Sequence, residues 1–200
     1  MALIDAATVR EMVPSLTGTG EDAQIDSFIA RFGALAAGYM GFPAASVGGN
    51  PTLESATYTR YYDGTGTKYL RLDVLPITAV TSIHVDVDRE YDSSHLVAAS
   101  DYEIFGDEGL VILKQESTQG VFDAGKRSIK VVFTAGYSTP PMPIKHACAM
   151  QVAYWYSARV HLGKTSVNQG GGSASVATLE LLPETREALR PYRLASSFMG

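Results

Sequence analysis

Two hundred residues with 46% apolar and 18% charged side chains describe one globular domain, or one domain with arms, large enough to bury about 70% of its extended surface. The formal charge of −5, with no basic run, argues against a chain that wraps nucleic acid, because sequence-independent phosphate binding needs clustered Lys and Arg. The single cysteine excludes an internal disulfide and any cysteine-based metal pattern. No apolar run is long enough to span a bilayer and no basic-then-apolar leader opens the sequence, so a soluble chain without a cleaved signal is expected. Sparse charge together with 11 tyrosines favours a surface that meets other proteins.

In chain order, residues 2–13 read as a short helix closed by Pro14, and residues 21–40 as a second helix. Its apolar stripe is Ile25, Phe28, Ile29, Phe32, Leu35 and Ala36, at the three-and-four spacing of a buried face. Gly33 and Gly38 weaken the helix by about 1 kcal/mol each, and with Ala30, Ala34 and Ala37 they make a line where another helix could approach closely. The period then changes. Residues 56–62 and 67–73 read as strands joined by a hairpin at Asp63-Gly64-Thr65-Gly66, with Tyr58, Arg60 and Tyr62 on one face of the first and Lys68, Leu70 and Leu72 on one face of the second. Residues 77–87 are a third strand, 88–100 an irregular polar stretch, 102–105 and 110–114 a second hairpin, and 128–134 the last strand.

Ala135-Gly136 ends that strand, and Pro140, Pro141 and Pro143 hold the chain until a long helix begins, expected over 143–162. Ile144, Cys148, Val152, Trp155 and Leu162 share one side, flanked by Ala147, Gln151 and Ala158, while Met150, Ala153, Tyr154, Tyr156 and Val160 leave little polar face. Such a helix is either the centre of a helical layer or has a core on one side and a protein partner on the other. Residues 163–182, with Gly170-Gly171-Gly172, read as a flexible Gly/Ser-rich loop, and 183–200 as a short docking helix with an arm. The expected class is α+β: a small bundle of N-terminal helices and a long central helix, with an inserted antiparallel β lobe at 56–134 and a flexible C-terminal arm. Residues 1–162 would form its core.

The chemistry-bearing residues have plainer readings. Asp86, Asp88, Glu90 and Asp92 alternate as a calcium loop might, but Tyr91 and Val97 stand where glycine and glutamate are needed, so a solvated strand end is expected. His84, His95, His146 and His161 have no metal-ligand spacing, and Cys148 sits on an apolar helix face as a packing residue. Gly64-Thr65-Gly66-Thr67-Lys68 links two strands and is a turn rather than a phosphate loop. Neither an enzyme nor a cofactor is expected.

The order of these pieces resembles the head–tail connector (adaptor, or head-completion) family of tailed phages. The resemblance spans residues 2–193 and rests on Tyr39-Met40-Gly41, the Arg60-to-Leu72 strands, Leu75-Pro76-Ile77-Thr78-Ala79-Val80, Tyr102-Glu103-Ile104 and Gly109-Leu110-Val111-Ile112-Leu113. Its strongest piece is Val131-Val132-Phe133-Thr134-Ala135-Gly136-Tyr137 followed by prolines and a helix through Ala147, Trp155 and Arg159; Leu182-Pro183-Glu184 to Leu189-Arg190-Pro191-Tyr192-Arg193 closes it. The resemblance implies a structural virion protein of the neck. It would form a ring under the portal with the portal's twelvefold symmetry, extend the DNA channel and offer a platform to the next neck or tail protein. Double-stranded DNA would pass through the lumen without specific binding, and no membrane is involved. Assembly would proceed in the host cytoplasm.

Within that frame Pro183, Glu184, Leu189, Arg190, Tyr192, Arg193 and Phe198 are expected to meet the portal, and Arg60, Tyr154, Tyr156, Arg159 and His161 to line the subunit interface. The alternative for the C-terminal helix is that it caps its own core. A tail-side ring protein, terminator- or stopper-like, is the alternative function. A nucleic-acid-binding module or a small hydrolase would be a different class, requiring salt-sensitive affinity or a cleft with perturbed ionisable groups.

Overall fold

The computed structural model describes residues 3–13, 18–159, 166–169, 172–175 and 180–194, with the side chains of 166–169 and 172–175 left aside. The described chain is α+β, helices first and last with antiparallel strands between them. It divides into a helical unit, Met1–Gly41 with Thr139–Arg193, and a β unit, Phe42–Ser138 with Leu194–Gly200.

The helical unit contains α1 (Ala6–Met12), α2 (Asp22–Met40), α3 (Met142–Ala158) and α4 (Pro183–Leu189). Asp5 caps α1, accepting from Thr8 N at 2.8 Å and Thr8 Oγ1 at 2.7 Å. Arg10 of α1 pairs with Asp22 at the head of α2. α2 ends where Gly41 turns left-handed at φ 85° and its N–H reaches Ala37 O and Gly38 O. Its buried stripe is Ile25, Ile29, Phe32, Ala36, Ala37 and Met40, so the expected Leu35 drops out to 39% exposure. Of the small residues, Gly33 faces Leu3, and Gly38 opens onto free space.

α3 buries Ile144, Ala147, Cys148, Gln151, Val152 and Trp155 on the expected side, but Ala149 and Tyr156 as well. α1, α2 and α4 all pack on it. Opposite these contacts His146, Met150 and Ser157 form an exposed stripe. The side chain of Gln151, fully buried, fixes the approach to α4: Nε2 donates to Glu180 O at 3.3 Å and Oε1 accepts from Leu182 N at 2.8 Å. Within the stretch expected as a flexible loop, Ser166–Gln169 (β7) pairs antiparallel with Gly172–Ser175 (β8).

The β unit holds two three-stranded sheets. The first is ordered β1 (Ala56–Gly64), β6 (Gly125–Ala135), β3 (Ile77–Val85); the second β2 (Tyr69–Arg71), β5 (Leu110–Leu113), β4 (Tyr102–Phe105). The hairpin expected between residues 56–62 and 67–73 does not form. β1 pairs with β6 and β2 with β5. The turn residues bond elsewhere, Gly66 N to Phe122 O at 2.9 Å and Phe122 N to Thr67 O at 2.8 Å, and a Cβ on Gly64 would lie 1.8 Å from Asp123 O. β6 offers β1 a buried partner face, with Tyr58 stacked on Phe133 at 5.8 Å between centroids, which a local hairpin could not supply. The hairpin β4–β5 forms as read.

Gly136, in the turn after β6, has φ 104°, and a Cβ there would meet Glu54 O at 2.6 Å. The turn is held by Gly136 N to Pro76 O at 2.9 Å and Tyr137 N to Leu53 O at 2.9 Å.

The acidic stretch departs from its solvated reading at one residue. Asp86 is 3% exposed and accepts from the backbone N–H groups of Asp88, Glu90 and Tyr91 at 2.8, 2.6 and 2.8 Å. It is the organiser of its loop, with Arg89 and Tyr91 left-handed around it. Backbone donors, Tyr91 N–H foremost, lower its pKa. His95 Nδ1 sits 2.8 Å from Asp92 and 3.8 Å from Asp86. The bond to Asp92 raises the His95 pKa above its usual 6.5, and bonds to Ser94 and His95 hold Asp92 at about 2.

Three outcomes follow from this packing. Gln151→Leu is expected to lower stability by about 1–3 kcal/mol although it adds apolar surface, because Glu180 O and Leu182 N lose their partners; thermal melting measures it. Gly136→Ala should cost about 1–3 kcal/mol through its left-handed backbone and the close Glu54 carbonyl, with Gly136→Asn costing less if strain alone decided it. The raised His95 pKa means its bonds to the acidic loop contribute fully below pH 6.5 and fade as pH rises through the folded value. The lowered Asp86 and Asp92 values place their own contribution above the usual 3.8, lost as pH falls. The difference in melting temperature between wild type and His95→Gln should therefore be largest between these two limits and shrink on the alkaline side.

Candidate assembly surface

The expected site residues fall on both units. On α3, Tyr156 and Arg159 form one cluster with Glu21 at the head of α2. The Arg159 guanidinium lies over the Tyr156 ring at 3.5 Å from its centroid, and Arg159 Nη2 reaches Tyr156 Oη at 2.8 Å and Glu21 Oε2 at 3.2 Å. Tyr156 also donates to Glu21, and that bond, followed by desolvation, raises the phenol's pKa. At 5% exposure Tyr156, expected at the subunit interface, is a buried residue joining two helices of its own unit. Tyr154 and Arg159 remain half-buried, and His161 lies outside the described residues.

Arg60 belongs to the β unit, on the inner side of β1. It packs over Tyr58 at 5.7 Å, reaches Ala44 O at 3.4 Å, and faces Asp73 at 3.9 Å. Tyr62 Oη donates to the same Asp73 at 2.5 Å. Desolvation, then the Asp73 charge, pushes the Tyr62 pKa far upward, and burial raises that of Tyr58. This Tyr–Arg–Asp cluster holds Arg60, expected at the subunit interface, against its own strand.

The C-terminal segment is divided between core and surface. Leu189 is fully buried and Thr185 2% exposed, both on the side of α4 that faces its own unit. Leu189, expected at the portal contact, is buried in its own unit: an apolar side chain at the end of a seven-residue helix is worth more buried than in water. Pro183, Glu184, Arg190 and Arg193 are exposed, and Tyr192 is half-buried. Arg193 lies over the Tyr39 ring at 5.2 Å, and Arg190 pairs with Glu187 at 3.5 Å. Phe198 lies outside the described residues. What α4 offers a partner is a charged strip, one face of a helix whose other face is already used.

Cys148 is buried, and burial pushes its thiol up to about 12, far from a nucleophile's range. Among the described residues no group of three His, Cys, Asp or Glu could hold a metal ion, and no helix is long and apolar enough to cross a membrane. The sequence reading passed over the exposed Ile104 and Phe105 of β4 and the exposed Met142 at the head of α3. An apolar residue beside a turn reads as core from periodicity alone, and only the fold shows which side is left open.

The chain resembles, in fold, a chain from the neck of an empty GTA particle computed with C6 symmetry, at a TM-score of 0.58 and 16% identity, covering 99% of this chain and 93% of that one. No curated protein matches it in sequence. Residues 2–195 match the family model described as head completion protein. With nearly the whole chain inside that match, this protein belongs to the head completion protein family, whose part in the virion is structural rather than enzymatic.

Proposed function

We propose that the chain assembles as a ring of about twelve copies in the phage neck, between the portal and the tail. It docks on the portal, extends the DNA channel, and presents a platform to the next neck or tail component. The observation that carries this reading is the head completion match over residues 2–195. Three features support it. The fold is that of a chain from a particle's neck. The negative net charge suits a wall past which DNA must slide, since clustered cations would hold it. The exposed side of α4 leaves Glu184, Arg190 and Arg193 available to a partner while its buried side stabilises the fold. Under this reading the portal contact is made by that charged strip with the tail beyond it, and Tyr154 and Arg159 lie toward the neighbouring subunit. Assembly on the head side of the neck also fits the family better than a tail-terminator role.

Removing the whole of 183–200 would be a poor test, because it takes Leu189 from the core. Two milder changes separate docking from folding: Arg190→Glu, and a chain ending at Leu194. The Arg190–Glu187 pair is solvent-exposed and contributes little to stability, so melting should be unchanged. Attachment to purified heads that carry the portal but lack this protein, followed by sedimentation, should fall sharply for both. Full attachment by both variants would remove the C-terminal segment from the portal contact. No shift of double-stranded DNA is expected in the same buffers at low salt.

A further inference from the structure

The tip of the β4–β5 hairpin is an exposed knob on a fixed base. Ile104 is 37% and Phe105 39% exposed, and Glu103, Asp107 and Glu108 are exposed beside them. The carboxylates of Asp107 and Glu108 have no ion-pair or hydrogen-bond partner among the described residues; Arg71 stands on the neighbouring strand, opposite Leu110. The tip is pinned from below. Ile77 N donates to Gly106 O at 3.0 Å, Leu72 N to Gly109 O at 2.8 Å, and a Cβ on Gly106 would meet Ile77 O at 2.3 Å. A contact made here loses little entropy on binding.

The helical unit carries a surface of opposite character. A groove of about 610 Å³ runs between α1 and the start of α3, with Leu3, Ile4 and Ala149 at its floor. Met12 and Met142, 39% and 73% exposed, form adaptable walls. Lys145 and His146 stand on its rim without an acidic partner among the described residues, and the one acid there, Asp5, is engaged as the cap of α1. α3 itself begins with no acidic residue in its first turn and no side-chain cap, so the positive end of its dipole is uncompensated at the same mouth.

We propose that the hairpin tip of one copy enters the α1–α3 groove of the next, Phe105 and Ile104 against the methionines and Asp107 and Glu108 against Lys145 and His146. Apolar bulk meets an apolar groove, and unpaired acids meet the Lys145 ammonium with the His146 imidazole beside it as a hydrogen-bonding group. Both surfaces stay exposed in the single chain, and they share no residue. The contact is therefore heterologous: each copy offers a knob to one neighbour and a groove to the other, which is the arrangement that closes into a ring. The inference rests on the ring reading and gives it a specific joint.

The test uses full-length chain, alone over a concentration series and on portal-bearing heads lacking it, with assembly read by native mass spectrometry and electron microscopy. Phe105→Ala, Lys145→Glu and Glu108→Lys are surface changes that should melt as wild type does and each weaken ring formation about tenfold or more. Mixing Lys145→Glu with Glu108→Lys pairs the unchanged halves only at alternate joints and matches reversed charges at the others, so the double variant Lys145→Glu/Glu108→Lys and the mixture should both recover assembly. Rings of undiminished affinity from the single variants would overturn the joint and leave the ring standing. Loss without recovery in the double variant would also overturn the pairing. A wild-type chain that forms no ring alone or on the heads would overturn the ring reading itself, and the joint with it.

Discussion

α3 buries most of its surface and leaves a single stripe of Met142, His146, Met150 and Ser157 to water, and the helical unit is built around that constraint. Its buried residues include both Cys148 on one flank and Ala149 and Tyr156 on others, so one packing partner would leave apolar surface exposed. α1, α2 and α4 divide its circumference between them. That demand explains why a helix as short as α4 is ordered. Seven residues cannot sustain a helix in isolation, and burial of Leu189 with the two bonds from Gln151 supplies what propensity cannot. The same demand makes Glu21, Tyr156 and Arg159 a joint between α2 and α3.

In the β unit the corresponding constraint is β6. It is the middle strand of its sheet and buries Ser128, Ile129, Val131, Phe133 and Ala135. Strands that arrive early in the chain wait for it, β1 and β3 pairing on either side although dozens of residues separate them from it. The loop tied around Asp86 and the turn at Gly136 then finish the two ends of that sheet. A buried carboxylate that collects backbone N–H groups is stable as an anion.

Once these two cores are closed, what remains outside among the described residues is a mixture of charge and isolated apolar tips. A head completion protein needs surfaces that are silent in the free chain and complementary in the assembly. In the proposed ring, rigid tips, methionine walls and exposed ion-forming strips would serve that purpose, each weak alone and multiplied by repetition around the closed ring.

Helix positions, the proline-marked start of α3 and the β4–β5 hairpin were legible in the sequence because local periodicity and turn chemistry determine them. Leu181-Leu182-Pro183-Glu184 likewise announced a helix start. Partner choice was not legible. Asp63-Gly64-Thr65-Gly66 has the composition of a hairpin turn, yet burial of Tyr58 against Phe133 outweighed the local option, and only the distant strand could supply that face. Asp86 reads as one of four alternating acids; its burial depends on three backbone N–H groups that meet it only when the loop closes. Gln151 reads as the edge of an apolar face, and its role appears only once Glu180 and Leu182 arrive beside it. The sequence by itself determined the main helices and the strands of the β unit, though not β7 and β8, and that the chain is an assembly protein of this family. The tertiary structure decided which strands pair, which polar groups are buried, and which apolar residues are left outside, because those outcomes are set by contacts between residues far apart in the chain.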